Sequence, residues 1–435
     1  MKSSFQTILI IVFVIGFAVA VAVFSGIFSS GSSSSTSTTA TGRVIVWGVL
    51  PNDIMQRYVS DFNSQGLGYT LTYEQHSTAN FYQDVILALA NNASPDLVLV
   101  SSELYSQLGN KLYTIPFTTY NERTFRDSNI DGAQMFLSTT GVTALPILVD
   151  PLVVYYNKDL LAAKNFVTTP VTWNDLQSAV PTLTRRDSKN QIVQSAIAMG
   201  EAGNIDHARD ILSALFLQTG NKIVSYDAAT GSRKVDLSTG TIAGQLPTVQ
   251  ALDFYTSFAN PTTTNYTWNS ALPESLQSFL AGKSAFYIGR ASELFTIQSR
   301  NPNLNFDVTQ FFQSAAATRP VTYGSFVAVG IMARAPNPTA AFTAATQLAS
   351  SAQIDALSKQ FSLPPVRRDL LQLAQANPYV AVFFKAALSA FSWPDPNPVS
   401  TQRIFRDMIT NVNSNTADSQ TAIYDAIRDL QSTLN

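Results

Sequence analysis

Cysteine is absent from this chain of 435 residues, and histidine occurs only twice, at His76 and His207. The absence of cysteine excludes disulfides, thiolate metal sites, a cysteine nucleophile and the lipid-modified cysteine that anchors many exported proteins. Two histidines far apart in the sequence are too few for a histidine-rich metal site, and we expect both at the surface or near helix caps. We therefore predict no metal and no cofactor.

Charge is also scarce, since charged residues make up 13% of the chain and the formal net charge is −2. Without a basic run, nothing in the sequence favours nucleic-acid binding. The sequence contains no G-x-S-x-G, H-E-x-x-H, G-x-G-x-x-G or phosphate-loop motif, and Lys283 in A-G-K-S-A lacks the leading glycine of such a loop. We predict that the protein is not an enzyme, although a glycosidase, which needs only two carboxylates, stays open.

The first 28 residues contain a long apolar run, Thr7–Phe28, preceded by a single charge at Lys2. About 20 apolar residues cross a bilayer as a helix, so the length favours an uncleaved transmembrane anchor with a cytoplasmic N-terminus. A cleaved signal segment is the alternative, because small residues at 18–22 offer cleavage sites. The Ser/Thr-rich residues 29–42 predict a flexible linker, and the remaining residues are enough for more than one domain.

Beta-branched apolar runs alternate with helical patterns at the start of the body. This order predicts a mainly parallel sheet with helices on both faces, in which ligands bind beyond the carboxyl ends of the strands. Trp47, Glu74, Ser101 and Glu103 stand at or just after those ends. The predicted strands are 43–50, 69–74 and 96–100, and the predicted helices between them are 52–63, capped by Asn52 or Asp53, and 80–91.

The rest of the body combines extended and helical patterns. An extended stretch covers 143–156, with an expected interruption at Asp150-Pro151. Thr172 and Asp175 have the spacing of a capping box at the start of a helix. We further predict a polar hairpin at 225–240, helices at 243–259, 272–281 and 290–300, a strand at 323–331, and an almost wholly helical chain from 338, broken at 363–365 and 393–396.

Five sequence blocks, in the order in which the family has them, resemble the extracellular solute-binding proteins of ABC importers. The likeness is to the sugar-binding group, which includes maltose-binding protein. The most specific is the Y-N-K-D-L run inside LPILVDPLVVYYNKDLL at 145–161. The others are PDLVLVSS at 95–102, PVTWNDL at 170–176, FLAGKSAFYIGR at 279–290 and LPPVRRDL at 363–370.

The resemblance implies an α/β fold of the two-lobed, periplasmic-binding-protein type II class. It implies discontinuous lobes, the first formed by 43–149 and 323–362 and the second by 150–322 and 363–435. It also implies capture of a small polar, sugar-like ligand by hinge closure and delivery to the permease subunits of an ABC transporter. With the anchor, this places a monomer at the cell membrane with its body on the extracytoplasmic side.

The chain departs from the family pattern after Gly282-Lys283. Where the family often has Gly-Pro-Trp, this sequence has Ile288-Gly289-Arg290-Ala291-Ser292. Position 100 is valine, where some sugar binders place an aromatic residue. A small polar ligand is therefore better supported than a maltose-like one.

Sugar sites combine aromatic faces with planar polar side chains, and the candidate ligand-binding residues were chosen on that basis. Each also has a structural alternative: a hinge carboxylate for Asp150, helix capping for Ser101 and Glu103, the core for Trp47, and an interlobe salt bridge for Arg290. Trp173 is expected to be structural. For Tyr82, packing in the core is favoured over the alternative that it faces the rim from the second helix. The candidates are Trp47, Glu74, Ser101, Glu103, Asp150, Glu201, Asn204, Trp268, Arg290, Tyr323 and Trp393.

Two other kinds of function remain open at this point. One is a membrane-tethered carbohydrate-active enzyme. The other is an adhesin or assembly protein that reuses the fold without transport. Hydrolysis of glycans would identify the first, and failure of any ligand to raise the thermal stability would favour the second.

Overall fold

The computed structural model describes residues 41–226, 232–242, 244–315, 317 and 319–434. The predicted anchor or signal segment at 1–28 and nearly all of the linker at 29–42 lie outside these residues. Within the described part of the chain, no helix is both long enough and apolar enough to span a bilayer.

Short strands and helices follow one another along the described chain. The strands are β1 Gly42–Gly48, β2 Tyr69–Gln75, β3 Leu97–Ser101, β4 Ile115–Pro116, β5 Gly141–Val142, β6 Leu145–Asn157, β7 Arg185–Arg186, β8 Ile192–Ile197, β9 Val224–Tyr226, β10 Arg233–Val235, β11 Ser284–Arg290, β12 Phe306–Thr309, β13 Thr322–Ile331 and β14 Ala390–Phe391. The α-helices are Asn52–Asn63, Phe81–Ala90, Ser102–Leu108, Glu122–Ser128, Lys158–Ala162, Trp173–Leu183, Ala208–Gln218, Pro247–Ser257, Ser275–Leu280, Leu294–Arg300, Pro338–Leu348, Ser351–Phe361, Arg368–Leu371, Pro378–Ala387, Pro398–Asn413 and Ser419–Ser432.

The sheet of the first lobe has the order β2-β1-β3-β13-β6. Strands β1, β2 and β3 are parallel, as the strand–helix alternation predicts. The expectation that the sheet is mainly parallel is wrong beyond β3, because β13 runs antiparallel to both β3 and β6. The carboxyl ends of β1, β2 and β3 therefore share one edge with the start of β13.

Strand β6 connects the two lobes. Its first half pairs with β13, whereas its second half, from Leu152, pairs with β11 and β12. The expected interruption at Asp150-Pro151 is wrong, since the strand continues through both residues. Pro151 lies opposite Gly324, and a Cβ at Gly324 would lie 2.9 Å from Val149 Cγ2. The missing side chain at Gly324 lets the two strands approach closely where the chain passes between lobes.

The second lobe is built on β6, β11 and β8, with β11 parallel to β8 and antiparallel to β6. Its core contains aromatic residues from many segments, including Trp173, Trp268 and Trp393. The capping box of Thr172 and Asp175 is confirmed, and strands β9 and β10 form the predicted antiparallel hairpin. The predicted cap by Asn52 or Asp53 is wrong, because that helix has Pro51 at its N-cap without a side-chain bond.

Residues 363–371 contact the first lobe. Leu148 pairs with Pro365 and Asn129 with Arg367, and Arg368 forms an ion pair of 2.6 Å with Asp131. We therefore propose that the chain passes for the last time from the first lobe to the second after residue 371, and not after residue 362.

Candidate functional site

A cavity of about 1200 Å³ lies between the two lobes. This volume is above the range of roughly 300–1,000 Å³ that is typical of small-molecule pockets, so the cavity has room for more than one sugar ring. Residues of the first lobe line one wall, and the helix Pro398–Asn413 of the second lobe forms the opposite wall. The lining residues are Val49, Thr78, Ala79, Tyr82, Gln83, Ser101, Glu103, Leu104, Ser106, Gln107, Arg209, Arg290, Ser325, Pro396, Asn397, Pro398, Val399, Ser400, Gln402, Arg403 and Arg406.

Glu103 occupies the first-lobe side of the cavity, just beyond the carboxyl end of β3. Ser101 caps the short helix that carries it by accepting a bond from Leu104 N. The carboxylate of Glu103 accepts hydrogen bonds from Tyr323 Oη at 3.0 Å and Ser325 Oγ at 2.7 Å. Burial alone would raise the pKa of Glu103, but the charges of Arg290 and Arg209 lower it below its usual value. Glu103 is therefore held as a carboxylate.

Arg290 occupies the second-lobe side, at the end of β11. Its Nη2 lies 2.6 Å from Asp210 Oδ2 and 3.5 Å from Glu103 Oε1, and its guanidinium lies 5.9 Å from the centre of the Tyr323 ring. Burial opposes its charge, but the surrounding carboxylates raise the pKa of Arg290 well above its usual value. The ion pair of Arg290 and Glu103 joins the two lobes at the base of the cavity.

Behind Arg290, a second arginine continues the network. Arg209 Nη1 lies 2.8 Å from Asp395 Oδ2, and Arg209 Nη2 lies 3.1 Å from Asp210 Oδ1. Asp395 also accepts a bond from Thr401 Oγ1 at 2.8 Å. Charges in a low-dielectric region need such partners. We call Glu103, Arg209, Asp210, Arg290 and Asp395 the floor cluster.

Asp150 lies next to the floor cluster on β6 and bonds to the second lobe. Ser292 donates to it from both its backbone nitrogen, at 3.0 Å, and its hydroxyl, at 2.6 Å. Burial raises the pKa of Asp150, and the charge of Arg290 and these bonds offset that effect only in part. Its carboxylate is thus occupied by backbone and hydroxyl donors, which matches the structural alternative of a hinge carboxylate.

His207 precedes the helix Ala208–Gln218 and supports the floor cluster from behind. Its Nε2 lies 2.6 Å from Glu293 Oε1, and its Nδ1 lies 3.8 Å from Asp210 Oδ2. Burial alone would lower the pKa of His207, but its hydrogen bond to Glu293 and the charge of that carboxylate raise it above its usual value. Tyr287 donates a further bond to Glu293 at 2.9 Å. His207 therefore has the expected place at a helix N-cap, although without a side-chain capping bond, and it belongs to a polar network and not to the surface.

The wall helix Pro398–Asn413 presents one apolar and several polar residues to the cavity. Val399, Gln402, Arg403 and Arg406 recur at spacings of three and four, so they share one face, and all four line the cavity. The opposite face is buried in the second lobe through residues such as Ile404, Phe405 and Met408. The orientation of this helix thus follows from its apolar stripe.

Trp47 and Glu74 lie together at neighbouring strand ends but do not line the cavity. Trp47 Nε1 donates to Glu74 Oε2 at 2.8 Å, and the indole packs on His76 with ring centres 4.1 Å apart. Nearby, Tyr82 does line the cavity, contrary to its expected position in the core. It stands in the first turn of the helix Phe81–Ala90.

The other predicted aromatic residues lie inside the second lobe. Trp268 and Trp393 are 1% and 2% exposed, and both belong to its hydrophobic core. Trp268 Nε1 donates to Asn204 Oδ1 at 3.1 Å, and Trp393 Nε1 donates to Ser213 Oγ at 3.3 Å. Because neither ring reaches the cavity, we do not propose either as a stacking residue. Trp173, also buried, has the structural place expected for it.

Asn204 and Glu201 likewise bond within the second lobe. The amide nitrogen of Asn204 donates to the carbonyl oxygens of Asn269 and Leu272. Glu201 accepts a bond from Asn413 Nδ2 at 3.3 Å, and burial raises its pKa. Neither residue lines the cavity.

The structure therefore brings together Ser101, Glu103, Arg290 and Tyr323 from the predicted set, with Asp150 adjacent. Sequence reasoning missed Arg209, Asp210 and Asp395 of the floor cluster, as well as the charged face of the wall helix. A signal for Arg209 and Asp210 was present, because His207-Ala-Arg-Asp210 places charge at the start of an otherwise apolar helix. Within the described residues, no group of three or more His, Cys, Asp or Glu side chains could hold a metal ion.

A sequence model of the family described as bacterial extracellular solute-binding protein matches residues 57–383. No curated protein sequence matches the chain.

Solved structures share the fold at low sequence identity. The chain resembles the cyclic alpha-maltosyl-1,6-maltose binding protein from Arthrobacter globiformis, with a TM-score of 0.74 and 15% identity over 90% of this chain and 98% of that one. It also resembles a maltotriose binding protein of Thermus thermophilus, with a TM-score of 0.65 and 16% identity over 90% of this chain and all (100%) of that one. A solute binding protein from Thermotoga lettingae, bound with alpha-D-tagatose, gives a TM-score of 0.65 and 18% identity over 91% and 100% of the two chains.

Proposed function

This chain belongs to the bacterial extracellular solute-binding protein family, and from that premise we propose that it is a receptor for a sugar or oligosaccharide. The ligand binds in the cavity between the lobes, and the loaded receptor delivers it to the permease subunits of an ABC transporter. The observation that carries the proposal is that both lobes line one cavity, with Glu103 on one side and Arg290 and Arg403 on the other.

The wall composition supports a polyhydroxylated ligand. Amide and hydroxyl groups of Thr78, Gln83, Gln107 and Gln402 accompany the charged groups. Planar amides and guanidinium groups bind pairs of neighbouring hydroxyls, and Tyr82 offers one aromatic face for a sugar ring. The similar structures named above were described with maltotriose and tagatose among their ligands, which agrees with this ligand class.

The proposed mechanism is non-catalytic. A ligand that contacts both walls stabilises the arrangement in which the lobes are close, because only that arrangement offers both sets of contacts. Residues where the strands pass between lobes, near Pro151 and Gly324, are the proposed hinge. The permease then recognises the closed receptor.

Thermal unfolding of the full-length chain in the presence of mono- and oligosaccharides tests this function. A bound sugar at 100 times its Kd should stabilise the protein by about 2.7 kcal/mol and raise the Tm. Small-angle scattering should show a smaller radius with the same sugar. If no sugar in a broad panel changes either quantity, the receptor function is rejected. Release of shorter glycans during the incubation would instead favour the enzyme alternative.

We also propose that residues 1–28 hold the receptor at the outer face of the cell membrane and that residues 29–42 act as the tether. The apolar run and the absence of cysteine support this arrangement. Fractionation with mass analysis of the N-terminus tests it. An intact N-terminus in the carbonate-washed membrane fraction is expected, and a soluble protein that begins after residue 18 would contradict it.

A further inference from the structure

We propose that the ligand of this receptor carries negative charge, as a uronate or a phosphorylated sugar does, and that Arg403 and Arg406 on the wall helix recognise it. This inference rests on the proposed function and adds the chemical class of the ligand. It is carried by three features of the cavity: its arginines, the end of the helix that faces it, and its scarcity of aromatic surface.

The charges on the two sides of the cavity differ in how they are paired. In the floor cluster, Glu103, Asp210 and Asp395 lie within 2.6–3.5 Å of Arg209 or Arg290. On the wall helix, the side chains of Arg403 and Arg406 are 58% and 55% exposed. Both contact the same carboxylate, that of Asp407, at 3.2 and 3.8 Å. Two guanidinium groups facing the cavity therefore share one counter-charge.

The wall helix adds positive potential of its own. Its N-terminal residues Asn397, Pro398, Val399 and Ser400 line the cavity, and its first turn holds no acidic residue. The carboxylate of Asp395, just before the helix, accepts a bond from Asn397 N at 3.0 Å, but Arg209 pairs with that carboxylate at 2.8 Å. The N-terminus of a helix of 16 residues carries a partial positive charge, which favours anions. Because Arg403 and Arg406 follow on the same face, the helix end and the two guanidinium groups act on one region of the cavity.

Aromatic surface, the usual means of binding a neutral sugar, is scarce in the cavity. Among the described residues that line the cavity, one is aromatic, Tyr82. Trp173, Trp268 and Trp393 are instead buried in the second lobe. A neutral oligosaccharide would thus find few ring faces on which to stack. A guanidinium group, in contrast, matches a carboxylate or phosphate with two parallel hydrogen bonds.

Calorimetric titration of the full-length chain with three probes tests the inference: trigalacturonate, maltotriose and glucose 6-phosphate. We expect one of the anionic probes to bind at least about tenfold more tightly than maltotriose at low ionic strength. Which of the two does so distinguishes a uronate from a phosphorylated sugar. Binding of maltotriose with equal or higher affinity would overturn the inference and leave the proposed function intact. If none of the three probes binds, the inference is rejected, whereas the proposed function is decided separately by the broad sugar panel described above.

Variants separate recognition by the wall helix from general electrostatic attraction. The double change Arg403→Gln and Arg406→Gln should weaken binding of the anionic probe by about tenfold or more, and by a clearly larger factor than it weakens binding of maltotriose. Arg428→Gln is the matched control, since that exposed arginine pairs with Asp425 and Asp429 on another helix. Equal losses in the double variant and the control, or no loss in either, would contradict a role for the wall helix. An unchanged Tm verifies that the variants are folded.

Discussion

The core of the second lobe and the floor of the cavity are both largely buried but differ in chemistry. The core contains Trp268 and Trp393, whose indole nitrogens donate to Asn204 and Ser213. The floor cluster instead contains arginines and carboxylates, with Asp395 only 2% exposed. Aromatic residues in polar sequence surroundings thus stabilise the lobe, whereas the charged residues of the floor connect one lobe to the other. Residue type alone did not separate these two roles.

The largest expected effect comes from the core. Trp268→Ala should destabilise the protein by about 3–5 kcal/mol, because it removes a large buried ring and leaves Asn204 Oδ1 without its indole donor. Thermal unfolding measures the loss, and Trp268→Phe, which keeps most of the volume, should lose less. Ligand affinity of the folded Trp268→Phe variant should be unchanged. A stable Trp268→Ala variant with weakened ligand binding would place this ring in the ligand site. It would then no longer differ in role from the charged residues of the floor cluster.

An intermediate effect is expected where the floor cluster joins the lobes. Glu103→Gln removes the carboxylate that faces Arg290 at 3.5 Å but keeps an oxygen that Tyr323 or Ser325 can donate to. Loss of a charged partner of this kind is worth about 1.5 kcal/mol, so the closed arrangement should become roughly tenfold less favoured.

Small-angle scattering and ligand titration of the Glu103→Gln variant measure this change. We expect weaker ligand binding and a smaller decrease of the radius at a given sugar concentration. Glu122→Gln is a suitable control, because Glu122 pairs with Arg126 on the surface of the first lobe. If Glu103→Gln resembles this control in both measurements, the Glu103–Arg290 pair does not hold the lobes together.

The smallest effect concerns pH and His207. Folding raises the pKa of His207, so protonation of its ring stabilises the folded protein. This contribution is present in full at pH values below the pKa of the unfolded state, about 6.5. That contribution is lost as the pH rises through the folded pKa. The Tm should therefore fall as the pH is raised above about 6.5, by less than the change from Trp268→Ala. In His207→Gln this part of the fall should disappear, and an identical pH profile for both proteins would remove His207 from the network.

The strand ends of the first lobe were predictable because they depend on local pattern. The short apolar runs form parallel strands, and residues that follow them, such as Ser101 and Glu103, lie at the carboxyl edge of the sheet. This holds wherever the rest of the chain lies. Arg290 is the last residue of the FLAGKSAFYIGR block that carries the resemblance, and the structure places the end of this block in β11. These positions can be predicted from the order of strands and helices alone.

The remaining site residues depend on long-range packing. Asp210 meets Arg290 because the first turn of the helix Ala208–Gln218 lies against the end of β11, a contact between residues 80 positions apart. Arg403 and Arg406 face the cavity because the opposite side of their helix is apolar, and the sequence does not state which surface that helix covers. Trp268 was misplaced because its partner, Asn204, is 64 residues away.

A structure of the protein with its ligand bound is the most direct test of the central claim, that one ligand is held by both lobes in this cavity. The account predicts a ligand in contact with Glu103 or its first-lobe neighbours and, at the same time, with Arg290 or the wall helix Pro398–Asn413. A ligand that contacts one lobe only, or that lies outside the cavity, would contradict it.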